Sequence, residues 1–140
     1  MKKTAIVSAI LLFLLIFSQS LCAGNTKEES AVSSSDSWLS LVDSGNYPVS
    51  WEDAAEFFRN AVTEEQWVNS MKSFRKPLGR ALSREIISKQ YMTSLPGAPD
   101  GEYFVIQYST SFENKKSAVE TVTPMLDKDN IWRVSGYYIK

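Results

Sequence analysis

Apolar positions fall into three regimes along the chain. From Ala5 to Phe17 they are almost continuous, interrupted only by Ser8. From Trp38 to about Leu78 they recur every three or four residues, the spacing of one helix face. From about Ser83 the period drops to two, which is the signature of strands with one buried face. A stretch rich in Ser, Glu, Lys and Asn, residues 24–37, separates the first two regimes and reads as a flexible leader.

The middle regime predicts three helices. Trp38, Leu41 and Val42 open the first, with Ser35 or Asp36 as its cap and Gly45 at the position of a C-terminal glycine. Ser50 is expected to cap a second helix, with Asp53 as a weak capping-box partner and Trp51, Ala54, Ala55, Phe58 and Val62 as its apolar stripe. Thr63 caps the third, with Gln66 three residues on and Glu64 and Glu65 in the favourable first turn. Its stripe is Trp67, Met71, Phe74 and Leu78, and Pro77 and Gly79 end it.

The last regime predicts four strands, 84–94, 102–112, 117–126 and 131–139, joined by turns at 95–101, 113–116 and 127–130. Phe104, Ile106, Tyr108 and Phe112 share one face, as do Trp132, Val134, Gly136 and Tyr138. Helices followed by a meander give an α+β domain, three N-terminal helices packed on one face of a curved four-stranded antiparallel sheet.

The first regime is not part of that domain. Lys2 and Lys3 precede the apolar run, and Ser18–Ala23 turns polar and then small, the order of a secretory signal peptide. The run is short for a membrane span, which needs about 20 apolar residues. Cleavage is placed after Ala23, so residues 1–23 are the export segment, 24–37 the leader and 38–140 a single domain, periplasmic or secreted. Cys22 is not expected to carry lipid, because Leu21 and Gln19 stand where a lipobox wants a small residue and Leu.

Composition narrows the chemistry. The 140 residues contain one Cys and no His, and 15 Lys+Arg nearly balance 16 Asp+Glu. Absence of His removes Ser-His-Asp and Cys-His mechanisms and the usual zinc and haem ligation. No metal or other cofactor is expected, and the charge balance argues against a broadly basic nucleic-acid binder. Export would remove Cys22 as well, leaving about 117 residues to hold together through their core alone.

Three constellations remain as candidate sites. Lys72, Arg75, Lys76, Arg80 and Arg84 surround the helix-to-strand junction and could hold a carboxylate or phosphate; a solvated helix end is the plainer explanation. Tyr91, Tyr103, Tyr108, Phe112, Trp132, Tyr137 and Tyr138 lie on strands and could line a pocket inside a curled sheet, or form its core. Glu120 and Arg133 are charged positions within largely apolar strands. A hairpin around 127–130 would bring them close, either as a general base beside an anion-stabilising Arg or as a surface salt bridge. Glu102 and Glu85 are the possible second carboxylates. Arg75, Arg80, Tyr91, Tyr108, Arg133 and Tyr138 are the expected ligand-binding residues, and Glu120 is the alternative catalytic one.

Several motifs together resemble one family. Trp38-Leu39-x-Leu41-Val42-Asp43-x-Gly45-x-Tyr47, Arg75-x-Pro77-Leu78-Gly79, Leu95-Pro96-Gly97-x-Pro99-Asp100-Gly101-Glu102-Tyr103, Glu120-Thr121-Val122-Thr123 and Trp132-x-Val134-x-Gly136-Tyr137-Tyr138-Ile139 look like the DUF4019 family. The resemblance covers essentially the whole mature chain and implies an exported bacterial domain with no assigned function. The order of helices and then sheet is also similar to the NTF2-like (cystatin-like) roll, which implies either a small enzyme or a non-catalytic binding module. The expectation is therefore an envelope domain that binds a small molecule, peptide or protein. The alternatives are a small enzyme using a carboxylate inside the sheet, and an assembly protein pairing through an edge strand.

Overall fold

The computed structural model describes residues 20–140, with side chains described from Thr26. Most of the expected export segment, with its apolar run and the Cys22 side chain, lies outside the described residues. The chain divides into two compact units, one ending at Ser30 and one spanning Ala31–Lys140. In the first, the described residues from Ser20 are helical. The second is an α+β body with its helices first.

The helices are α1 (Ser20–Asp43), α2 (Tyr47–Glu52), α3 (Glu56–Ala61) and α4 (Glu64–Phe74), followed by a 3₁₀ turn at Lys76–Leu78. Two expectations change here. The stretch read as a loose leader is helical, and α1 continues through Ser35 and Asp36 rather than starting there. Ala31, Ser35, Trp38, Leu39 and Val42 form its buried stripe. The first two are small enough to lie close to the sheet and too small to register as an apolar period. The single helix expected from Ser50 is two short ones. Ser50 lies inside α2, fully buried, donating to Tyr47 O at 2.7 Å instead of capping. The break at Asp53–Ala55 has a purpose in the packing, because the Ala55 N–H reaches Val134 O at 2.8 Å. The α4 cap is as expected: Thr63 Oγ1 accepts from the Gln66 N–H at 3.2 Å, and Gln66 Oε1 accepts from the Thr63 N–H at 3.0 Å.

The strands are β1 (Ala81–Met92), β2 (Tyr103–Phe112), β3 (Lys115–Leu126) and β4 (Trp132–Ile139), in an open antiparallel sheet of order β1-β2-β3-β4. Three tryptophans tie the helical segments together with their indoles satisfied. Trp38 donates to Ser50 O (2.7 Å), Trp67 to Ser50 Oγ (2.9 Å) and Trp51 to Val62 O (2.7 Å). Trp38, Trp67, Phe58 and Tyr137 pack edge to face or tilted, with centroids 5.1–6.4 Å apart. With Phe104, Ile106, Tyr108, Val122 and Val134 they fill the space between helices and sheet.

Bulges reset the strand faces. On β4, Val134 pairs Pro124 and Gly136 pairs Thr123, so Ser135 is an extra residue. Inward positions therefore run Trp132, Val134, Tyr137. Tyr138, expected on the inner face with Trp132, is 57% exposed, and Tyr137 takes the interior place. Pro124 brings no N–H to the ladder, and this central strand accommodates it because it sits at the bulge, where regular pairing is interrupted. On β1, Leu82 and Ile87 are the extra residues, and both are exposed.

Candidate functional site

The helix-facing side of the sheet ends in a buried polar cluster. Arg84 on β1 pairs directly with Thr110 on β2, and Glu120 on β3 lies diagonally across from Thr110. Arg84 reaches the C-terminal end of α1 at Asp43. Glu120 has no exposed surface. Its Oε1 accepts from Arg84 Nε at 2.7 Å and from Thr110 Oγ1 at 2.6 Å, and its Oε2 accepts a short hydrogen bond from the Tyr137 hydroxyl. Arg84 extends the chain outward, donating to Asp43 Oδ2 at 2.7 Å and Oδ1 at 2.9 Å. Asp43 Oδ1 also accepts from Arg75 at 3.1 Å. Arg75 donates to Gly79 O at 2.6 Å, and its guanidinium lies 4.5 Å over the Phe112 ring. Two acids and two arginines thus balance inside one network.

The electrostatics follow from that balance. Burial pushes Asp43 up, but hydrogen bonds and charge from Arg84 and then Arg75 more than offset it, so its carboxyl sits below the ordinary 3.8. Burial disfavours the charge on Arg84, and its bonds to Asp43 and Glu120 overcome this and hold it protonated. Burial, then the Glu120 charge and hydrogen bond, push the Tyr137 phenol far above its usual 10.0.

Concavities among the described residues open beside and away from this cluster. A groove of about 510 Å³ runs past the α1–α2 turn and the end of α4, lined by Asp43, Tyr47, Lys72, Arg75, Lys76 and Arg80 among others. A smaller one of about 390 Å³ has Asp36, Arg84 and Tyr108 on its walls. A cleft of about 600 Å³ lies between α1, the α2–α3 break and the β3–β4 turn, with Trp38, Asp53, Arg59, Asp129, Trp132 and Arg133 among its lining.

The residues singled out in the sequence are thereby distributed. Arg75 and Arg80 border one groove, although Arg80 itself is exposed and ion-paired to Glu113. Tyr108 is buried, with its hydroxyl donating to Asp36 at 2.9 Å; burial and then the Asp36 charge raise its pKa above 10.0. Tyr91 is 46% exposed on β1, its ring tilted against Phe104 and its hydroxyl donating to Glu102 at 2.9 Å. Tyr138 faces away from the helices. Glu120 and Arg133 are not brought together. The β3–β4 register places Glu120 opposite Ile139 and Arg133 opposite Met125, several residues apart along the hairpin. Arg133 instead grips Asp129 with both terminal nitrogens at 2.8 Å and reaches Asp127 at 3.3 Å. That grip, led by the Arg133 hydrogen bonds, pulls Asp129 down to about 2.

Asp43 is not singled out as a site residue by the sequence, and Tyr137 enters there only as one of the aromatic strand positions. Asp43 is the last residue of a helix, where an acid opposes the carbonyl end, and that unfavourable placement is the signal that it has partners elsewhere. Tyr137 was hidden by the bulge at Ser135. Among the described residues, no group of three or more His, Cys, Asp or Glu side chains is placed to hold a metal ion. No described helix is long and apolar enough to cross a membrane.

The family model described as "Protein of unknown function (DUF4019)" matches residues 34–137. The chain belongs to the DUF4019 family. The matched span holds α1 from Ser34, both arginines of the cluster, Glu120 and Tyr137, so the cluster belongs to the DUF4019 domain itself. No curated protein and no solved structure matches the chain.

Proposed function

We propose that this DUF4019 protein is an exported, non-catalytic binding module of the bacterial cell envelope, periplasmic or secreted, that takes a small molecule, peptide or protein partner. One observation carries the non-catalytic part. Glu120, the leading candidate for an acid or base, is fully buried, and Arg84, Thr110 and Tyr137 engage its two oxygens. A catalytic base must come within hydrogen-bond reach of a substrate proton, and this one is sealed behind structural donors. Glu120 lines none of these concavities, although Arg84, Asp43 and Arg75 border two of them. The order of helices and then antiparallel sheet is also similar to the NTF2-like roll, which includes binding modules.

Pairing through a sheet edge is less favoured. Ser34 Oγ and the Ala55 N–H occupy Trp132 O and Val134 O on β4. Two bulges interrupt β1, a common means of blunting an edge. Export rests on the charged, apolar and small-residue order of residues 1–23.

The test is a thermal-shift screen of the purified protein against small molecules and peptides, with turnover assayed in parallel. Saturable stabilisation without turnover is expected. Turnover abolished by Glu120→Gln would replace this reading with the enzyme alternative. Export is read by fusing residues 1–37 to a reporter active only outside the cytoplasm. Activity is expected, with its loss on deleting residues 5–17.

A further inference from the structure

The groove at the end of α4 has features that its structural role leaves unexplained. Four cations line it, Lys72, Arg75, Lys76 and Arg80, against two carboxylates, Asp43 and Glu113. The carboxylates are already taken: Asp43 bridges Arg75 and Arg84, and Glu113 pairs with Arg80. Lys72 and Lys76 are exposed on the same wall and make no ion pair among the described residues. Arg75 is 2% exposed, and its Nε has no hydrogen-bond acceptor although the rest of its guanidinium is engaged. A buried donor left unmade costs about 1–3 kcal/mol, so such donors tend to mark a partner or a function. Cations at a helix C-terminus also offset its carbonyl charge. That role needs neither a concavity nor an unused buried donor beside it.

We propose that this groove binds the oxyanion group of a small ligand, a phosphate or a carboxylate, between Lys72, Lys76 and the Arg75 guanidinium. The proposal rests on the binding-module reading and deepens it. Lys72 and Lys76 supply mobile point charges, and Arg75 supplies a planar donor held rigidly by Asp43, Gly79 O and the Phe112 ring. Tyr47, on the wall and largely buried, gives the apolar side against which the body of the ligand would lie. Because Asp43 joins Arg75 to Arg84 and Glu120, an anion here would rest on a support anchored in the core.

The experiment titrates inorganic phosphate and, separately, citrate into the full chain at fixed ionic strength and reads Tm. A saturable rise with at least one probe is expected; which one responds identifies the oxyanion. Substituting Arg75 would disturb the fold, so the test variant is Lys72→Gln with Lys76→Gln, both at exposed positions. It should lose about tenfold in affinity, with only a small fall in the ligand-free Tm from the lost helix-end charges. No saturable rise with either probe overturns the proposal. So does an equal rise with sodium chloride, or an unchanged affinity in the double variant. If phosphate and citrate produce no saturable rise but the wider screen finds another ligand, the anion groove falls and the binding module stands. If nothing binds at all, both fall.

Discussion

Glu120 is the charged strand position that the sequence offers as a catalytic candidate, and in the fold its carboxylate is fully buried and hydrogen-bonded at both oxygens. Its buried carboxylate is matched by Arg84, and the pair is closed by Asp43 and Arg75. Breaking one partner of such a buried pair is costly, because the other is left as an uncompensated charge. Replacing both with apolar side chains of similar size removes that penalty. Glu120→Leu and Arg84→Met are therefore each expected to destabilise by about 3–5 kcal/mol in urea unfolding. The double variant should lose clearly less than the two losses added together. Losses that simply add would show that the two side chains do not act as a unit. Glu120 was legible as a charged position in a largely apolar strand, but its burial was not, because a surface salt bridge fits the same pattern. Nor was its partner. Arg84 lies 36 residues away, and no spacing rule links β1 to β3.

At the scale of elements, periodicity carried the architecture and failed where the backbone is irregular. The change of period near Ser83 located the helix-to-sheet transition, and the three polar turns separated the strands correctly. The α2–α3 break and the bulges at Leu82, Ile87 and Ser135 left no period to read, because one extra residue exchanges the faces of everything after it. Pro124, within a strand predicted to be central, was the one available warning. Glycine at the α4–β1 junction belongs to the same class of local constraint. Gly79 has φ 76° and ψ −159°, a region essentially reserved for glycine, and an added Cβ would sit 2.9 Å from Glu113 Cβ. Gly45 has a similar φ, but nothing lies within 4 Å of its would-be Cβ. Gly79→Ala should cost about 1–3 kcal/mol from backbone strain, with the clash added. Gly45→Ala should cost about 1–2 kcal/mol. Equal shifts in the urea midpoint would mean that the contact with the β2–β3 turn relaxes freely.

For the molecule as a whole, the absence of His determines how stability depends on pH. No side chain has an ordinary pKa between about 5 and 8, so folding should exchange few protons across that range. The perturbed groups lie at the two ends. Asp43 and Asp129 titrate lower in the folded chain than the 3.8 of the unfolded one, Asp129 at about 2. The unfolded state therefore binds more protons in acid. Their stabilisation is complete above about pH 4 and disappears as pH falls through the folded values. Tyr108 and Tyr137 titrate above their unfolded 10.0, so the unfolded state loses protons first in alkali. Their contribution is complete below pH 10 and declines as pH rises beyond it. Urea midpoints measured from pH 2 to 12 should thus form a plateau from about pH 4 to about pH 10, with a fall on each side. Tyr137→Phe should lower the plateau, because the Glu120 carboxylate loses a donor, and should flatten the alkaline fall, because one displaced phenol is gone. A slope through neutral pH, or an alkaline fall as steep in the variant as in the parent, would place the controlling groups elsewhere.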